Sequence, residues 1–497
     1  MTNTWANVLF GQKARLSYLM LAAAFLLLVF LGVKDIWTQE HRWADIVSGM
    51  FYRKDFFHPF LGDVEYYDKP LMSYWLIALS SKIFHLTTFT LRLPSALAGL
   101  LSIWSIYKIG AQQNSALGYL SAWLLLSSFY FIFWVRTSSA DMLNLGGSLF
   151  AVAWFLMHKD KKEFTSYLGF FLILAMTALC KGLIGVIVPL LVILPFLLLT
   201  KSLSQHLNAK FFLSLVPALL IYIIPFYLSS HLNGTGYAEN GLYLVYKENV
   251  LRFFQPFDHK GPIYTYFIFL PVYLFPWTLL FIPALIKLPQ RWQGLSLHAK
   301  WYAWATFLLF IFLTASGSRR NYYVLPVVPF ALLMTADWLM TLNQNAQKIL
   351  GASIVVLYTA FASWYAILQP LYYCDGGLPY FANHLQTQAM RIKPWSQWQF
   401  VMLDAESKVS FYLSLPPSVK NESISGERVN QTVASLLQSW PMLQNPSPKT
   451  IYISRALYKR QLQQLLPEYR LVEGKATFGQ RLLNTTLANE PIAFIPS

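Results

Sequence analysis

Unbroken apolar runs recur along the first 370 residues, each closed off by a short polar or charged segment. They fall at about 16–33, 93–110, 117–135, 142–156, 167–180, 183–200, 211–229, 264–286, 302–315, 323–340 and 349–368. Most come close to the roughly 20 residues an α-helix needs to cross a hydrocarbon core of about 30 Å. A helix satisfies its own backbone groups there, so the pattern predicts an all-α polytopic membrane protein with about eleven or more transmembrane helices. The stretch 71–84 is apolar but short, and reads as a helix lying in the interface. The first run follows a short basic segment and leads straight into further runs without a small-residue cleavage site, so it reads as a retained helix.

Past Pro370 the pattern changes. Segments 399–403, 450–454 and 469–472 read as strands, and 456–466 as a helix. The division expected is a membrane body over 1–370, including outer loops 34–92 and 231–263, followed by a small α/β domain over 371–497. No internal repeat is visible, which weighs against a transporter built from inverted repeats.

Composition sharpens this picture. Of 497 residues, 56% are hydrophobic and only 12% charged, which excludes an ordinary soluble enzyme. Aromatic residues cluster near run ends, as in interfacial belts. A net charge of +16 raises the possibility of nucleic acid as a partner, but most Lys and Arg sit in short loops between apolar runs, and no nucleic-acid-binding motif is present. Lys13, Arg15, Lys159, Lys161, Lys162, Lys201, Lys210, Lys287, Arg291, Lys300 and Lys348 all fall on one face, which the positive-inside rule makes cytoplasmic. The other face receives the remaining loops and everything after Pro370. It still carries Arg42, Lys69, Arg136, Lys181, Arg252, Lys260, Arg319 and Arg320, which the topology rule does not explain. Cys180 and Cys374 lie in different contexts, so neither a disulfide framework nor a cysteine zinc site is expected.

Cations stranded on the outer face among aromatic residues need water or an anionic ligand. Two segments concentrate them: Gln39-Glu40-His41-Arg42-Trp43-Ala44-Asp45-Ile46 and Tyr67-Asp68-Lys69-Pro70, the latter followed by Tyr74-Trp75. These resemble the motifs of bacterial lipid-linked-sugar glycosyltransferases with the GT-C membrane fold, the family of protein O-mannosyltransferases and lipid A aminoarabinose transferases. Arg136-Thr137 with Asp141, Lys181-Gly182, Arg252-Phe253 with His259-Lys260-Gly261-Pro262, and Ser318-Arg319-Arg320-Asn321-Tyr322-Tyr323 continue the resemblance in order. Gln39 departs from it, standing where the family has an acidic residue.

The resemblance implies inverting transfer from undecaprenyl phosphate to lipid A or a related envelope acceptor on the periplasmic face, in the bacterial inner membrane. It suggests 4-amino-4-deoxy-L-arabinose as the sugar. The alternatives are an O-mannosyltransferase-like enzyme and, in another class, a lipid-linked-sugar transporter or flippase. The chemistry asks for preorganised cations facing the charge that grows on the departing phosphate, and for a carboxylate that orients groups or takes a proton. Arg42, Tyr67, Lys69, Arg319 and Arg320 are candidates for the phosphate. Glu40 or Asp141 is the catalytic carboxylate. Arg136, Lys181, Arg252, His259, Tyr322 and Tyr323 are candidates for substrate binding. Partners expected are the lipid-linked donor, the acceptor and membrane lipids, with no cofactor and no metal.

Each of these residues also has a plain structural role open to it. Glu40 and Arg42 can form an interfacial ion pair, Lys69-Pro70 can open an interfacial helix, and Asp141 can cap the run that begins at Met142. Lys181 can mark a tight turn, and Arg319 and Arg320 can hold lipid headgroups. His41 and His58 read as surface histidines rather than metal ligands. The segment 231–263, with Tyr243, Tyr246, Glu248, Arg252 and Phe253, reads as a flap over the site or as an ordinary connection.

Overall fold

The computed structural model describes residues 5–37, 39–232, 246–424, 428–429, 431–485 and 490–497. Every predicted apolar run contains helix, but the runs are not equivalent. Among the described residues seven helical stretches are long and apolar enough to cross a membrane: Thr88–Gly110, Ala140–His158, Phe164–Lys181, Ala209–His231, Leu297–Ala315, Asn321–Leu339 and the stretch beginning at Gln344. Two more runs are broken pairs. Ser115–Leu126 and Phe129–Val135 meet at 71°, where the Ser127 and Ser128 hydroxyls donate back to the carbonyls of Trp123 and Leu124. Such back-bonding competes with the backbone ladder and bends a helix. Thr265–Leu274 and Thr278–Gly294 meet at 119°, with Pro276 in the break. The last two runs, Leu16–Leu28 and Ile184–Leu199, form shorter apolar helices. The segment 71–84 becomes the helix Met72–Phe84, which buries Tyr74 and Ile77 and exposes Leu79, Ile83 and Phe84.

By packing, the chain divides into two units. The first comprises Met1–Leu31, Tyr67–His85 and Arg92–Trp364, and the second Gly32–Tyr66, Leu86–Leu91 and Tyr365–Ser497. The second unit thus reaches beyond the 371–497 segment marked by the change in pattern, and takes in half of the first outer loop.

In the first unit, inner helices are lined with Ala, Ser, Leu and aromatic residues, and Ala209–His231 leaves Leu213, Leu220, Ile224 and Tyr227 bare, as a lipid-facing helix does. Arg92 is buried and donates from Nη1 to the carbonyl of Leu31 at 3.0 Å.

In the second unit, strands β1 (Phe60–Leu61) and β2 (Val64–Glu65) form a short antiparallel ribbon after the helix Glu40–Arg53. The main sheet contains β3 (Gln399–Leu403), β4 (Asn421–Glu422), β5 (Thr450–Arg455), β6 (Tyr469–Glu473) and β7 (Pro491–Pro496) in the order β4-β3-β5-β7-β6. Strand β3 runs parallel to both β4 and β5, and β7 runs antiparallel to β5 and β6. Period-two alternation builds two apolar layers. Ile451, Ile453, Ala493 and Ile495 face a layer with Phe381 and Leu385, while Tyr452, Ile492 and Phe494 face one with Leu436, Trp440 and Leu462. The sequence marks β3, β5, β6 and the helix Lys459–Leu465; β4 is too short to read, and β7 is masked by its terminal prolines.

His58 corrects the expectation of a surface histidine: it is buried, with Nδ1 2.7 Å from Asp55 Oδ2. Both cysteines are free.

Candidate active site

Lys69 lies in the connection before the helix Met72–Phe84 and is largely buried. Its ammonium sits 3.0 Å from Asp68 Oδ2 and donates to the Asp68 carbonyl at 3.1 Å. Burial pushes the Lys69 pKa below the ordinary lysine value, and Asp68 works against that push. The same Asp68 carboxylate is 3.8 Å from Nη1 of Arg252, so two cations from distant parts of the sequence meet at one anion.

Arg252 follows the π-turn Lys247–Leu251, which puts Glu248 one turn behind it. Its guanidinium is fixed on three sides. Nη1 is 2.6 Å from Glu248 Oε2, Nη2 is 2.9 Å from Asp258 Oδ2, and Nε donates to Ser318 Oγ at 3.3 Å. Burial opposes the charge, but Tyr323, Glu248 and Asp68 outweigh it and hold the Arg252 pKa above its ordinary value.

Asp141 stands in the first turn of the helix Ala140–His158, where its backbone N–H donates to Ser139 Oγ at 3.0 Å. Its carboxylate holds Lys181 in an ion pair, and the Lys181 ammonium lies 4.6 Å from the centre of the Tyr323 ring. Gly182 then turns the chain at φ +105°, and Asn249 Oδ1 accepts from the Leu183 N–H at 2.8 Å.

These groups border a cavity of about 330 Å³. Its polar wall carries Tyr67, Asp68, Lys69, Lys181, Glu248, Arg252 and Tyr323, and its apolar wall Ile184, Ile187, Phe226, Phe253, Phe312 and Leu313. Tyr222 also lines it, and its buried hydroxyl has no hydrogen-bond partner among the described residues. Such a cavity suits an amphipathic ligand with one anionic end.

Of the residues marked in the sequence, Tyr67, Lys69, Lys181, Arg252 and Tyr323 meet at this cavity, with Asp141 joined through Lys181. Five others do not line it and make other contacts. Arg136 donates to the carbonyls of Leu26 at 3.0 Å and Val29 at 2.7 Å, closing the end of the helix Leu16–Leu28. Arg319 donates to the carbonyls of Thr314 and Gly261. Arg320 Nη2 is 3.0 Å from His259 Nδ1. Burial first, then Arg320, pushes His259 down to about 4, so its ring is neutral at pH 7 and its contact with Asp258 is not an ion pair. Tyr322 packs on Trp134 at 4.7 Å between ring centres.

Glu40 and Arg42 belong to the second unit. Glu40 is buried at the start of its helix, its Oε2 accepting from the Trp37 N–H at 2.8 Å. Arg42 donates to the Tyr66 hydroxyl at 2.6 Å. Of the segment read as a flap, residues 233–245, Tyr243 among them, lie outside the described residues. Asp258, Asn249 and Tyr222 carry no sequence signal as site residues and Ser318 was marked only as part of a motif, whereas the i,i+4 spacing of Glu248 and Arg252 was there to be used.

A membrane body of apolar helices carries basic and acidic groups gathered at one amphipathic cavity. The comparisons with known proteins support an ArnT-like glycosyltransferase with the GT-C fold. The fold matches that of ArnT from Cupriavidus metallidurans bound to undecaprenyl phosphate, with a TM-score of 0.68 at 16% identity over 96% of this chain and 97% of that one. An oligosaccharyltransferase from Archaeoglobus fulgidus is more distantly alike, with a TM-score of 0.52 at 12% identity over 91% of this chain and 71% of that one. In sequence, the chain is 25% identical to the undecaprenyl phosphate-alpha-4-amino-4-deoxy-L-arabinose arabinosyl transferase of Shewanella sediminis, over 90% of this chain and 86% of the relative. The dolichyl-phosphate-mannose-protein mannosyltransferase family matches residues 68–228.

Proposed function

We propose that the chain transfers a sugar, 4-amino-4-deoxy-L-arabinose, from undecaprenyl phosphate to the lipid A headgroup on the periplasmic face of the bacterial inner membrane. The observation that carries this reading is the meeting of Lys69 and Arg252 at Asp68, in a cavity whose lining is otherwise largely apolar. The apolar wall receives the first isoprene units and the cations receive the phosphate. Names borne by the relatives support the sugar and the carrier.

In the step itself the bond between the anomeric carbon and the phosphate oxygen breaks, its electron pair leaves on that oxygen, and an acceptor oxygen forms the new bond from the opposite side. Charge grows on the departing phosphate, so cations already fixed in place stabilise the transition state more than the ground state. Arg252 has five N–H donors, of which Glu248, Asp258 and Ser318 take three; the other two and the Lys69 ammonium face the growing charge. Asp141 is held in an ion pair by Lys181, and its role is to orient the sugar or the acceptor. A phosphate acceptor on lipid A is already ionised and needs no base. Glu40 and Arg42 remain part of the proposal as groups that order the outer loop.

Membranes incubated with labelled undecaprenyl-phosphate sugar test the reading. Label in lipid A, lost in Lys69→Ala, is the expected result. Label confined to protein would favour an O-mannosyltransferase-like acceptor, and movement of intact donor without transfer would favour a flippase.

A further inference from the structure

The second unit holds a cavity of its own, about 400 Å³, that the donor site leaves unused. Its place in the fold is informative. The chain runs from β3 to β4 on one side and then to β5 on the other, so the strand order reverses between β3 and β5. In open α/β sheets the crevice outside the carboxyl ends of the strands at such a reversal receives ligands. Arg455 ends β5, Glu406 and Lys408 follow β3 within a few residues, and all three line the cavity.

The crevice is built rather than incidental. Asp404, directly after β3, is 2% exposed and stands at φ +45°. It accepts from the Tyr458 hydroxyl at 2.9 Å and from Arg428 Nη2 at 3.0 Å, and lies 3.4 Å from Arg455 Nε. This fixes Arg455 at the floor. At the rim, Lys408 pairs with Glu406 at 2.8 Å, and Trp37 and Tyr373 contribute aromatic faces.

The lining identifies the ligand's chemistry. Four basic residues (Lys34, Lys408, Arg455 and Lys475) and three acidic ones (Asp35, Glu406 and Glu490) line it, so donors and acceptors are nearly balanced. Ile36, Leu378 and Pro491 add apolar surface between these charges, and the loop after β3, Asp404-Ala405-Glu406-Ser407, lacks the glycines a pyrophosphate requires. A polyhydroxylated ring with ionic substituents uses both signs of charge and an aromatic face at once.

We propose that this cavity binds the saccharide headgroup of the acceptor glycolipid, a site separate from the donor cavity; the choice of headgroup rests on the lipid A reading above. The test uses full-length protein in detergent, with the deacylated, bisphosphorylated glucosamine disaccharide as probe in calorimetry. The probe binds wild-type protein, and Lys408→Glu and Glu406→Lys each weaken it at least tenfold and raise the acceptor KM, while affinity for undecaprenyl phosphate and thermal unfolding stay as in wild type. Undiminished probe binding in both variants overturns the proposal. So does absence of probe binding in protein that still binds undecaprenyl phosphate, a result that leaves the transferase reading standing; failure of that reading shows separately, as loss of undecaprenyl phosphate binding.

Discussion

Arg252 lies one turn after Glu248, with Nη1 2.6 Å from the Glu248 carboxylate. Asp258 and Ser318 complete a frame that only a planar, forked cation fills. Arg252→Lys keeps the charge and loses the fork, so donor affinity falls and kcat drops by about 10² to 10³-fold, as for loss of one preorganised donor. Arg252→Ala does more. It leaves Glu248 and Asp258 facing each other uncompensated and costs roughly 3 to 5 kcal/mol of stability. Single-turnover kinetics and thermal unfolding separate the two effects.

Lys69 titrates where it matters. Its pKa is lowered by burial, so the folded protein releases the proton at a pH where the unfolded chain still holds it. Over the window between the lowered value and the ordinary lysine value, stability therefore rises with pH, while the phosphate grip weakens because the ammonium is lost. The pH profile of kcat/KM is expected to fall on its alkaline side, and Lys69→Arg to move that fall to higher pH. An unchanged alkaline limb in Lys69→Arg assigns it to another group.

Asp141 and Lys181 act as a unit. Asp141→Asn leaves a partly buried ammonium against the Tyr323 ring, and Lys181→Met leaves a lone carboxylate, so each single change is worse than the pair together. A double-mutant cycle read on acceptor KM is expected to give a coupling of about 1 to 3 kcal/mol. Additive effects would show that the two residues work apart.

Gly182 permits the turn between two helices. At φ +105° a side chain is strained, and a Cβ there would lie 2.6 Å from Asn249 Oδ1. Gly182→Ala is expected to cost about 1 to 3 kcal/mol by thermal unfolding. It also weakens donor binding, because Asn249 and Glu248 share the segment that carries Arg252.

Arg136→Met is the contrasting case. It removes the donors that satisfy the Leu26 and Val29 carbonyls and lowers stability by roughly 1 to 3 kcal/mol, with affinity for undecaprenyl phosphate unchanged.

That contrast explains what the sequence could and could not disclose. Apolar runs announce membrane helices because length and hydropathy are local properties. The period-two alternation that places Ile451 and Ile453 on one layer is also local. Arginines in the connections between apolar runs look alike in sequence, yet Arg136 and Arg319 hold backbone carbonyls while Arg252 lines a cavity. The difference lies in partners that are remote along the chain: Leu26 for Arg136 and Asp68 for Arg252. Asp258 was invisible as a site residue for the same reason. The bends at Ser127-Ser128 and Pro276 carried local signals, in hydroxyl back-bonding and a missing N–H, and were legible in principle.

Three carboxylates, from Asp68, Glu248 and Asp258, already surround the guanidinium of Arg252. In the proposed transfer, spent carrier leaving the cavity gives way to anions the chain supplies itself, and no naked cation has to be rehydrated. A version of the pocket with bare cations is expected to release its by-product more slowly, with internal competitors gone.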